Sequence, residues 1–205
     1  MDSQGSITVY TGPMFSGKTQ ALMARLQSKQ RAHKRVLVVK PELDARFAAP
    51  AEIVSKQRTS ERFEKQSSMA AHPIRSGAQL ARLIAELDPD IIGLDEAQFF
   101  DDEISCALDI VAHKPSGVVG SVSIARNLDV YVAGLDLDAW GRPFGPMPHL
   151  LAVADRVEKF TANCFQCGQD ARFTQKIGGS TGRIEVGADE LYEARCAACW
   201  TLPAP

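Results

Sequence analysis

The sequence predicts an α/β fold, with a parallel sheet between helices and a small cysteine-containing module at the C-terminal end. Three observations support this prediction. Short apolar runs alternate with helical patterns, a glycine-rich loop joins the first run to the first helix, and two C-x-x-C pairs follow residue 160. Apolar runs of this kind suit strands that are buried on both faces of a parallel sheet. At 205 residues, the chain is long enough for one ordinary domain and a small appended one.

Four apolar runs predict the strands, at residues 7–10, 36–39, 91–94 and 130–133. Helical patterns precede the last three runs, which is the β-α-β order of an α/β core. The helix before residue 91 has the clearest limits. Ser76 and Gln79 fit a capping box, an apolar stripe continues to Leu87, and Pro89 stops the helix.

Two segments and one cysteine fall outside this alternation. The stretch between Ala45 and Ser76 is polar, with six Lys or Arg and three Glu, and such a long loop is either a functional lid or disordered. Residues 113–123 contain glycine and serine and are expected to form a surface excursion. On the helix that begins near Asp101 or Asp102, Cys106 is expected to be an inert buried thiol rather than a ligand.

The glycine-rich loop fits the pattern G-x-x-x-x-G-K-[ST]. It follows a predicted strand and precedes a helix, and a phosphate site needs this context because the first N–H groups of the helix point at the anion. We expect Lys18 to bind the β and γ phosphates of a nucleoside triphosphate and the Thr19 hydroxyl to ligate Mg²⁺. A glycine-rich turn with a chance lysine is the less favoured alternative. The predicted loop comprises Gly12, Pro13, Met14, Phe15, Ser16, Gly17, Lys18 and Thr19.

Two carboxylates, Asp95 and Glu96, follow the predicted strand at residues 91–94. Ligands of open α/β sheets bind at the carboxyl ends of strands. Asp95 is therefore expected to reach Mg²⁺ directly or through water. Glu96 would act as the general base on the attacking group, which is water in an ATPase and a hydroxyl in a kinase. An acidic pair that only caps a helix is the alternative, and the two motifs leave the acceptor open.

The four C-terminal cysteines form two knuckles, Cys164 with Cys167 and Cys196 with Cys199, separated by 28 residues. Four thiolates at such spacing can close a tetrahedral structural zinc site. A redox-active pair is the alternative, although neither knuckle lies in a thioredoxin-like context.

Composition and the N-terminal sequence argue against a membrane protein, a secreted protein and a general nucleic-acid binder. No apolar stretch approaches the roughly 20 residues of a membrane-spanning helix. The first six residues lack the features of a secretory signal, so a cytoplasmic protein is expected. A formal net charge of −2 argues against a general nucleic-acid binder.

The order of these motifs resembles that of the zinc-containing type II thymidine kinases. The resemblance runs from Ile7 to Trp200 and rests on the glycine-rich loop, the sequence DEAQFF at residues 95–100, GLD at 134–136, PFG at 143–145, VGA at 186–188 and the paired knuckles. It implies a P-loop NTPase core with a parallel sheet over residues 1–160. It also implies a small zinc-binding lasso domain over residues 161–205, which closes over the nucleoside.

By this resemblance, Mg-ATP phosphorylates the 5′-hydroxyl of thymidine and of deoxyuridine in nucleotide salvage, with Glu96 as the base and zinc as a structural ion. A homotetramer, feedback inhibition by dTTP, and no nucleic-acid or membrane partner are also expected. The implied ATP and Mg²⁺ residues beyond the loop are Asp95, Glu96, Ala97, Gln98 and Arg46. The implied nucleoside residues are Met14, Asp44, Phe99, Leu135, Phe144, Thr174, Ile184, Glu185, Val186, Gly187, Ala188 and Tyr192.

The sequence departs from the family pattern at two places. Ala139 followed by Trp140 stands where the family usually has Phe three residues after the GLD aspartate, and residues 55–58 read SKQR where Ser-His-x-Gly is expected. Two other functions remain open. An ATP-dependent nucleic-acid motor is disfavoured by six Lys or Arg against seven Asp or Glu from Asp155 to Pro205. Only Ala139 supports an inactive nucleotide-binding homologue.

Overall fold

The computed structural model describes residues 5–42, 51–58, 63–114, 116–124, 127–178 and 189–203. In chain order its elements are β1 (Ile7–Thr11), α1 (Lys18–Arg31), β2 (Val36–Pro41), β3 (Glu52–Arg58), β4 (Phe63–Ala70), β5 (His72–Ile74), α2 (Gly77–Leu87), β6 (Ile91–Leu94), α3 (Glu103–His113), β7 (Gly117–Val119), β8 (Val122–Ile124), β9 (Asp129–Gly134), α4 (Met147–Val153), β10 (Arg156–Lys159), β11 (Ala162–Asn163), β12 (Asp170–Ala171), β13 (Phe173–Lys176) and β14 (Tyr192–Arg195). Short 3-10 helices lie at Ala97–Phe99 and Asp189–Leu191.

Six strands form one parallel sheet in the order β10-β1-β9-β6-β2-β5. It contains all four predicted strands, so the α/β fold is confirmed. Successive residues of a strand point to opposite faces of a sheet, and both faces here are apolar. One face packs against α2, α3 and α4, and the other packs against α1. Burial on both faces explains why these strands appear in the sequence as continuous apolar runs.

The limits of α2 follow the prediction in part. The Ser76 hydroxyl accepts the Gln79 N–H at 3.4 Å, but the Gln79 side chain accepts the N–H of Arg75 rather than that of Ser76, so the capping box is incomplete. The apolar stripe also ends early, because Leu87 is 46% exposed. The helix stops at Leu87, and Asp88 has a left-handed backbone.

The prediction that Cys106 is buried is wrong, because this thiol lies on the exposed side of α3. Ile104 and Leu108 of the same helix are completely buried. Cys106 is two positions from each of them, and two residues correspond to roughly 200° around an α-helix. Its side chain therefore points away from the core.

The two segments outside the predicted alternation of strands and helices, 45–76 and 113–123, contain β-hairpins. Strands β3 and β4 pair antiparallel, and Ile53 and Met69 pack against α1, so the described part of the 45–76 stretch is an ordered hairpin rather than a disordered loop. Strands β7 and β8 likewise form a hairpin, in which Val119 and Ile124 join the core. Both hairpins bury isolated apolar residues rather than runs, which is why hydrophobic periodicity did not identify them.

Beyond β10, the chain forms two small antiparallel sheets, β11 with β12 and β13 with β14. Among the residues that the structure describes, no helix is both long enough and apolar enough to cross a membrane.

His113 connects three parts of the core through two carboxylates. At the end of α3, its Nδ1 lies 2.7 Å from Asp109 Oδ1, and its Nε2 lies 2.9 Å from Asp155 Oδ2. The same Asp155 oxygen accepts the N–H of Ile7 at 2.7 Å, at the start of β1. Burial alone would lower the pKa of His113, but the hydrogen bonds to Asp109 and Asp155 outweigh it, and the pKa is raised.

We expect His113→Gln to reduce stability more at pH 5.5 than at pH 8.5. The folded-state pKa lies above the unfolded value of about 6.5, so the contribution is complete below that value and disappears as pH rises through the folded-state pKa. A hydrogen bond to a charged group contributes roughly 1.5–3 kcal/mol. Thermal unfolding measured from pH 5 to pH 9 tests this expectation. His149→Gln, at an exposed position of α4, is the control. An equal loss for His113→Gln at all pH values would contradict it.

Candidate active site

The phosphate loop connects β1 to α1, and glycines give its backbone the required shape. Gly12 has φ 140° and Gly17 has φ 86°, values that favour glycine. A Cβ atom on Gly12 would lie 2.3 Å from the carbonyl oxygen of Phe160, so no side chain fits between this loop and the residue after β10. Phe15 also has a positive φ, 64°, which is uncommon outside glycine. The loop presents its backbone to the N-terminus of α1, where an anion is favoured.

Lys18 folds back over this loop. Its Nζ donates hydrogen bonds to the carbonyl oxygen of Pro13 at 2.6 Å and to Ser16 Oγ at 3.4 Å. Burial lowers the pKa of Lys18, while the negative charges of Glu96 and Asp95 oppose this shift. A phosphate in the loop would add a further negative charge and favour the charged ammonium.

Asp95 lies at the carboxyl end of β6 and is buried, with 5% of its surface exposed. Its Oδ1 accepts hydrogen bonds from Thr19 Oγ1 at 3.1 Å and from the Glu96 N–H at 3.0 Å. Burial and the charge of Glu96 raise the pKa of Asp95 to about 7, although these hydrogen bonds and Lys18 oppose the shift. A divalent cation beside Asp95 and Thr19 would favour the ionised carboxylate. Asp95 and Thr19, which are in contact, are therefore suited to the Mg²⁺ site that the sequence predicts for them.

Glu96, in contrast, is exposed, and its backbone is left-handed, with φ 54° and ψ 41°. The next two residues turn inward, and Ala97 and Gln98 are both buried. Gln98 Nε2 donates to Glu96 Oε2 at 2.5 Å, and Gln98 Oε1 accepts the N–H of Leu135 at 2.9 Å. The sequence predicted that Gln98 binds ATP or Mg²⁺, whereas the structure gives its amide two protein partners.

Four residues predicted to bind a nucleoside form two contacting pairs, Phe99 with Phe144 and Met14 with Thr174. Phe99 and Phe144 pack edge to face, with ring centroids 5.5 Å apart. The Thr174 hydroxyl accepts the N–H of Met14 at 3.1 Å and so connects β13 to the phosphate loop. Tyr192 lies on β14 on the same face of the small sheet as Thr174, because their paired positions are two residues apart. Seven other predicted residues lie outside the described residues: Asp44, Arg46, Ile184, Glu185, Val186, Gly187 and Ala188.

An ion pair that the sequence did not predict joins the loop after β9 to the end of β10. Lys159 Nζ lies 2.6 Å from Asp136 Oδ2, and Asp136 is only 7% exposed. Asp136 lies just beyond the end of β9, as Asp95 does beyond β6, so its position in the sequence could have identified it. No sequence signal marks Lys159, because the pairing depends on β10 lying beside β1.

The same loop contains the departure from the family pattern. Ala139 is buried, Trp140 is half-buried, and the Asp138 carboxylate accepts the N–H groups of Trp140 at 3.0 Å and of Arg142 at 2.9 Å. Asp138 therefore fixes the backbone of this turn.

The four cysteines of the two knuckles form a single cluster. Their Sγ atoms all lie within 4.8 Å of one another. This separation is short enough for all four sulfur atoms to bind one tetrahedral zinc ion, whose Zn–S bonds are about 2.3 Å long. Burial alone would raise the pKa of Cys164, but backbone N–H groups of Cys196, Gln166 and Cys167 lower it to about 6. Hydrogen bonds with neighbouring thiols raise the pKa of Cys199 to about 12. Four thiolates this close together need a cation, and the donor set fits zinc.

Comparison with known proteins agrees with this arrangement. The profile of the thymidine kinase family matches residues 5–200. The chain is 36% identical to the thymidine kinase of Rhodothermus sp. (strain ITI 518) over 203 residues, which cover 99% of this chain and 84% of the relative. It is also 36% identical to the thymidine kinases of Bacteroides thetaiotaomicron, over 202 residues, and Bacteroides fragilis, over 199 residues. Each of these alignments covers 96% of this chain and 87% of the relative.

This chain belongs to the thymidine kinase family.

In this thymidine kinase family member, the cysteine module contacts the phosphate loop directly. The ring of Phe15, in the loop, stacks on that of Phe165, in the first knuckle, with centroids 5.3 Å apart and an interplanar angle of 27°. Phe15 also packs against the small apolar cluster that contains Cys164 and Cys196. The bond from Met14 to Thr174 adds a second connection. The module therefore supports the backbone that is predicted to bind the triphosphate.

We expect Phe165→Ala to weaken ATP binding about three- to tenfold, because a stacked aromatic pair contributes roughly 0.5–1.5 kcal/mol beyond its buried area. Calorimetric titration with a non-hydrolysable ATP analogue measures this effect. Gln166→Ala is the matched control, since Gln166 is the exposed neighbour of Phe165 in the same knuckle. Unchanged affinity in Phe165→Ala, with the metal content intact, would show that the module does not support the loop.

Proposed function

We propose that this protein is an ATP-dependent thymidine kinase, a transferase that converts thymidine, and also deoxyuridine, to the 5′-monophosphate in nucleotide salvage. The observation that carries this proposal is the contrast between two adjacent carboxylates. Asp95 is buried and bonded to Thr19 of the phosphate loop, while Glu96 is exposed next to it. The buried Asp95 is suited to bind a metal ion, and the exposed Glu96 is suited to accept a proton from the acceptor. Membership of the thymidine kinase family supports thymidine as the acceptor.

In the proposed reaction, Glu96 accepts the proton of the nucleoside 5′-hydroxyl. The hydroxyl oxygen forms a bond to the γ-phosphorus, the bond from that phosphorus to the β–γ bridging oxygen breaks, and ADP leaves. Lys18 and the N–H groups at the start of α1 stabilise the charge that spreads over the transferred phosphoryl group. Arg46 is proposed to contribute to this stabilisation. A Mg²⁺ ion held by Thr19 and Asp95 would neutralise charge on the β and γ phosphates.

We propose that the nucleoside binds between the end of β9 and the cysteine module. In this proposal the contacting rings of Phe99 and Phe144 form one wall of the site. Thr174 and Tyr192, which share one face of the small β13–β14 sheet, form another. Aromatic and apolar walls with a few fixed polar groups are typical of sites for small ring systems. The bond between Met14 and Thr174 supports this location because it joins the module to the phosphate loop. The other proposed contacts are Asp44, Leu135, Ile184, Glu185, Val186, Gly187 and Ala188.

We propose zinc as the ion of the cysteine cluster, with Cys164, Cys167, Cys196 and Cys199 as its ligands. The ion would hold the two ends of the segment from 168 to 195 together. In this view the chain has two parts, a nucleotide-binding domain over residues 1–160 and a zinc-bound lasso domain over residues 161–205. A homotetramer, inhibition by dTTP and a cytoplasmic location are proposed from family membership alone.

We expect Glu96→Gln to lower thymidine-dependent turnover by about 10²- to 10⁴-fold, since positioned general bases contribute on this scale. The affinity for an ATP analogue should stay within about twofold of that of the wild type, because Asp95, Thr19 and Lys18 remain. Steady-state ATP consumption with thymidine, together with analysis of the monophosphate product, provides the measurement.

The assay should also contain deoxycytidine, single-stranded DNA and buffer alone as separate acceptor conditions. Glu86→Gln, an exposed carboxylate of α2, is the matched control variant and should retain full turnover. ATP hydrolysis that DNA stimulates, or that needs no acceptor, would reject the kinase proposal. Near-normal turnover of Glu96→Gln would reject Glu96 as the base.

A further inference from the structure

Gln98 is a buried polar residue whose two hydrogen bonds connect separate parts of the site. It is 2% exposed, and its amide bridges the carboxylate of Glu96 and the backbone N–H of Leu135. Glu96 follows β6 and Leu135 follows β9, two strands that pair side by side. The Gln98 amide therefore spans the gap between the adjacent ends of these strands.

The orientation of this amide is fixed by its partners. A backbone N–H can only donate, so the Gln98 oxygen must face Leu135. The amide NH₂ then faces Glu96 Oε2, which accepts its hydrogen bond. Both hydrogen bonds are satisfied in this orientation and neither is satisfied in the flipped one. A buried amide with both ends paired strongly prefers a single position.

The backbone around Glu96 depends on this support. Glu96 has a left-handed conformation that is uncommon for a residue other than glycine, and such a conformation persists where the surroundings hold it. Its N–H donates to Asp95 Oδ1 at 3.0 Å, and its carbonyl oxygen accepts the N–H of Phe99 at 3.1 Å. The hydrogen bond from the Gln98 amide also fixes the side chain of Glu96. Without this hydrogen bond, the exposed carboxylate of Glu96 would be free to change rotamer.

Two glycines leave room for Gln98. A Cβ atom on Gly134 would lie 3.0 Å from Gln98 Oε1, and a Cβ atom on Gly145 would lie 2.2 Å from the Gln98 carbonyl oxygen. The last residue of β9 and the loop before α4 therefore enclose Gln98 closely. This packing limits the movement of the residue that holds Glu96.

We propose that Gln98 is a positioning residue for phosphoryl transfer, which holds Glu96 Oε2 so that Oε1 faces the acceptor hydroxyl. The inference rests on the proposed function, because it assigns Glu96 the role of the base. Gln98 acts through its hydrogen bond to Glu96 and through its anchor at Leu135. It thereby fixes the base relative to the end of β9, where the nucleoside is proposed to bind.

The first test is a double-mutant cycle with Gln98→Met and Glu96→Gln. Methionine has nearly the length of glutamine but makes neither hydrogen bond. We expect Gln98→Met to lower kcat about 10- to 100-fold in the presence of Glu96, as expected for misplacement of a catalytic group. The KM values for ATP and thymidine should change less than about threefold. In the Glu96→Gln background, the same substitution should change the residual kcat less than about threefold, because the base is already absent.

The second test uses Gln98→Glu, which still accepts the N–H of Leu135 but turns a second carboxylate toward Glu96. Two carboxylates at this distance favour a shared proton. The acid limb of the kcat profile should then move to higher pH by about one unit or more, which a purely structural defect would not cause. Thermal unfolding and binding of an ATP analogue establish that each variant is folded.

The outcomes separate the two claims. Absence of thymidine-dependent turnover in the wild type, or full turnover of Glu96→Gln, overturns the proposed function and the inference with it. An inactive Glu96→Gln together with a near-normal Gln98→Met overturns the inference alone. Equal losses from Gln98→Met in both backgrounds, with an unshifted pH profile for Gln98→Glu, also overturn it, because Gln98 would then only support the fold.

Discussion

The hydrogen bond between Thr19 and Asp95 is the contact on which the arrangement of the site depends. Thr19 is the second residue of α1, and Asp95 follows β6 two strands away from β1 in the sheet. Parallel pairing brings the carboxyl ends of β1, β9 and β6 to one edge, and this bond joins the outer two. Because Asp95 is buried, the loss of Thr19 would cost its carboxylate one of the two hydrogen bonds that Oδ1 accepts, the other coming from the Glu96 N–H. The phosphate loop and the acidic pair are therefore positioned together.

The cysteine module is in direct contact with the phosphate loop. Phe15 has an unusual left-handed backbone, and its ring stacks on that of Phe165. In the sequence, Phe165 lies between Cys164 and Cys167, two of the candidate metal ligands. The Met14 N–H, which lies in the phosphate loop, is bonded to Thr174. One short loop thus has one side toward the proposed triphosphate and another toward the cysteine module. A change in the cysteine module would therefore reach the phosphate loop through the contacts of Phe15 with Phe165 and of Met14 with Thr174.

The parts of the molecule that the sequence predicted well are those determined locally. A strand, a glycine turn and a helix in succession specify the phosphate loop, and cysteine spacing specifies the cluster. The buried strands were predictable because both of their faces are covered. Contacts between distant segments were not predictable in the same way. The ion pair between Lys159 and Asp136 requires β10 to lie beside β1, and the stack of Phe15 on Phe165 requires the module to fold back onto the loop.

Gln98 illustrates the same limit within a single motif. The letters of residues 95–98 indicate a phosphate site, and the simplest expectation assigns every polar side chain in it to the nucleotide. The structure adds that the backbone is left-handed at Glu96, that the Glu96 side chain is exposed and that the Gln98 side chain is buried with two protein partners. A base must reach its substrate, whereas the carboxylate that holds a cation is better shielded from water. Adjacent residues can meet both requirements only if the backbone turns sharply between them, and a buried amide is well suited to stabilise that turn.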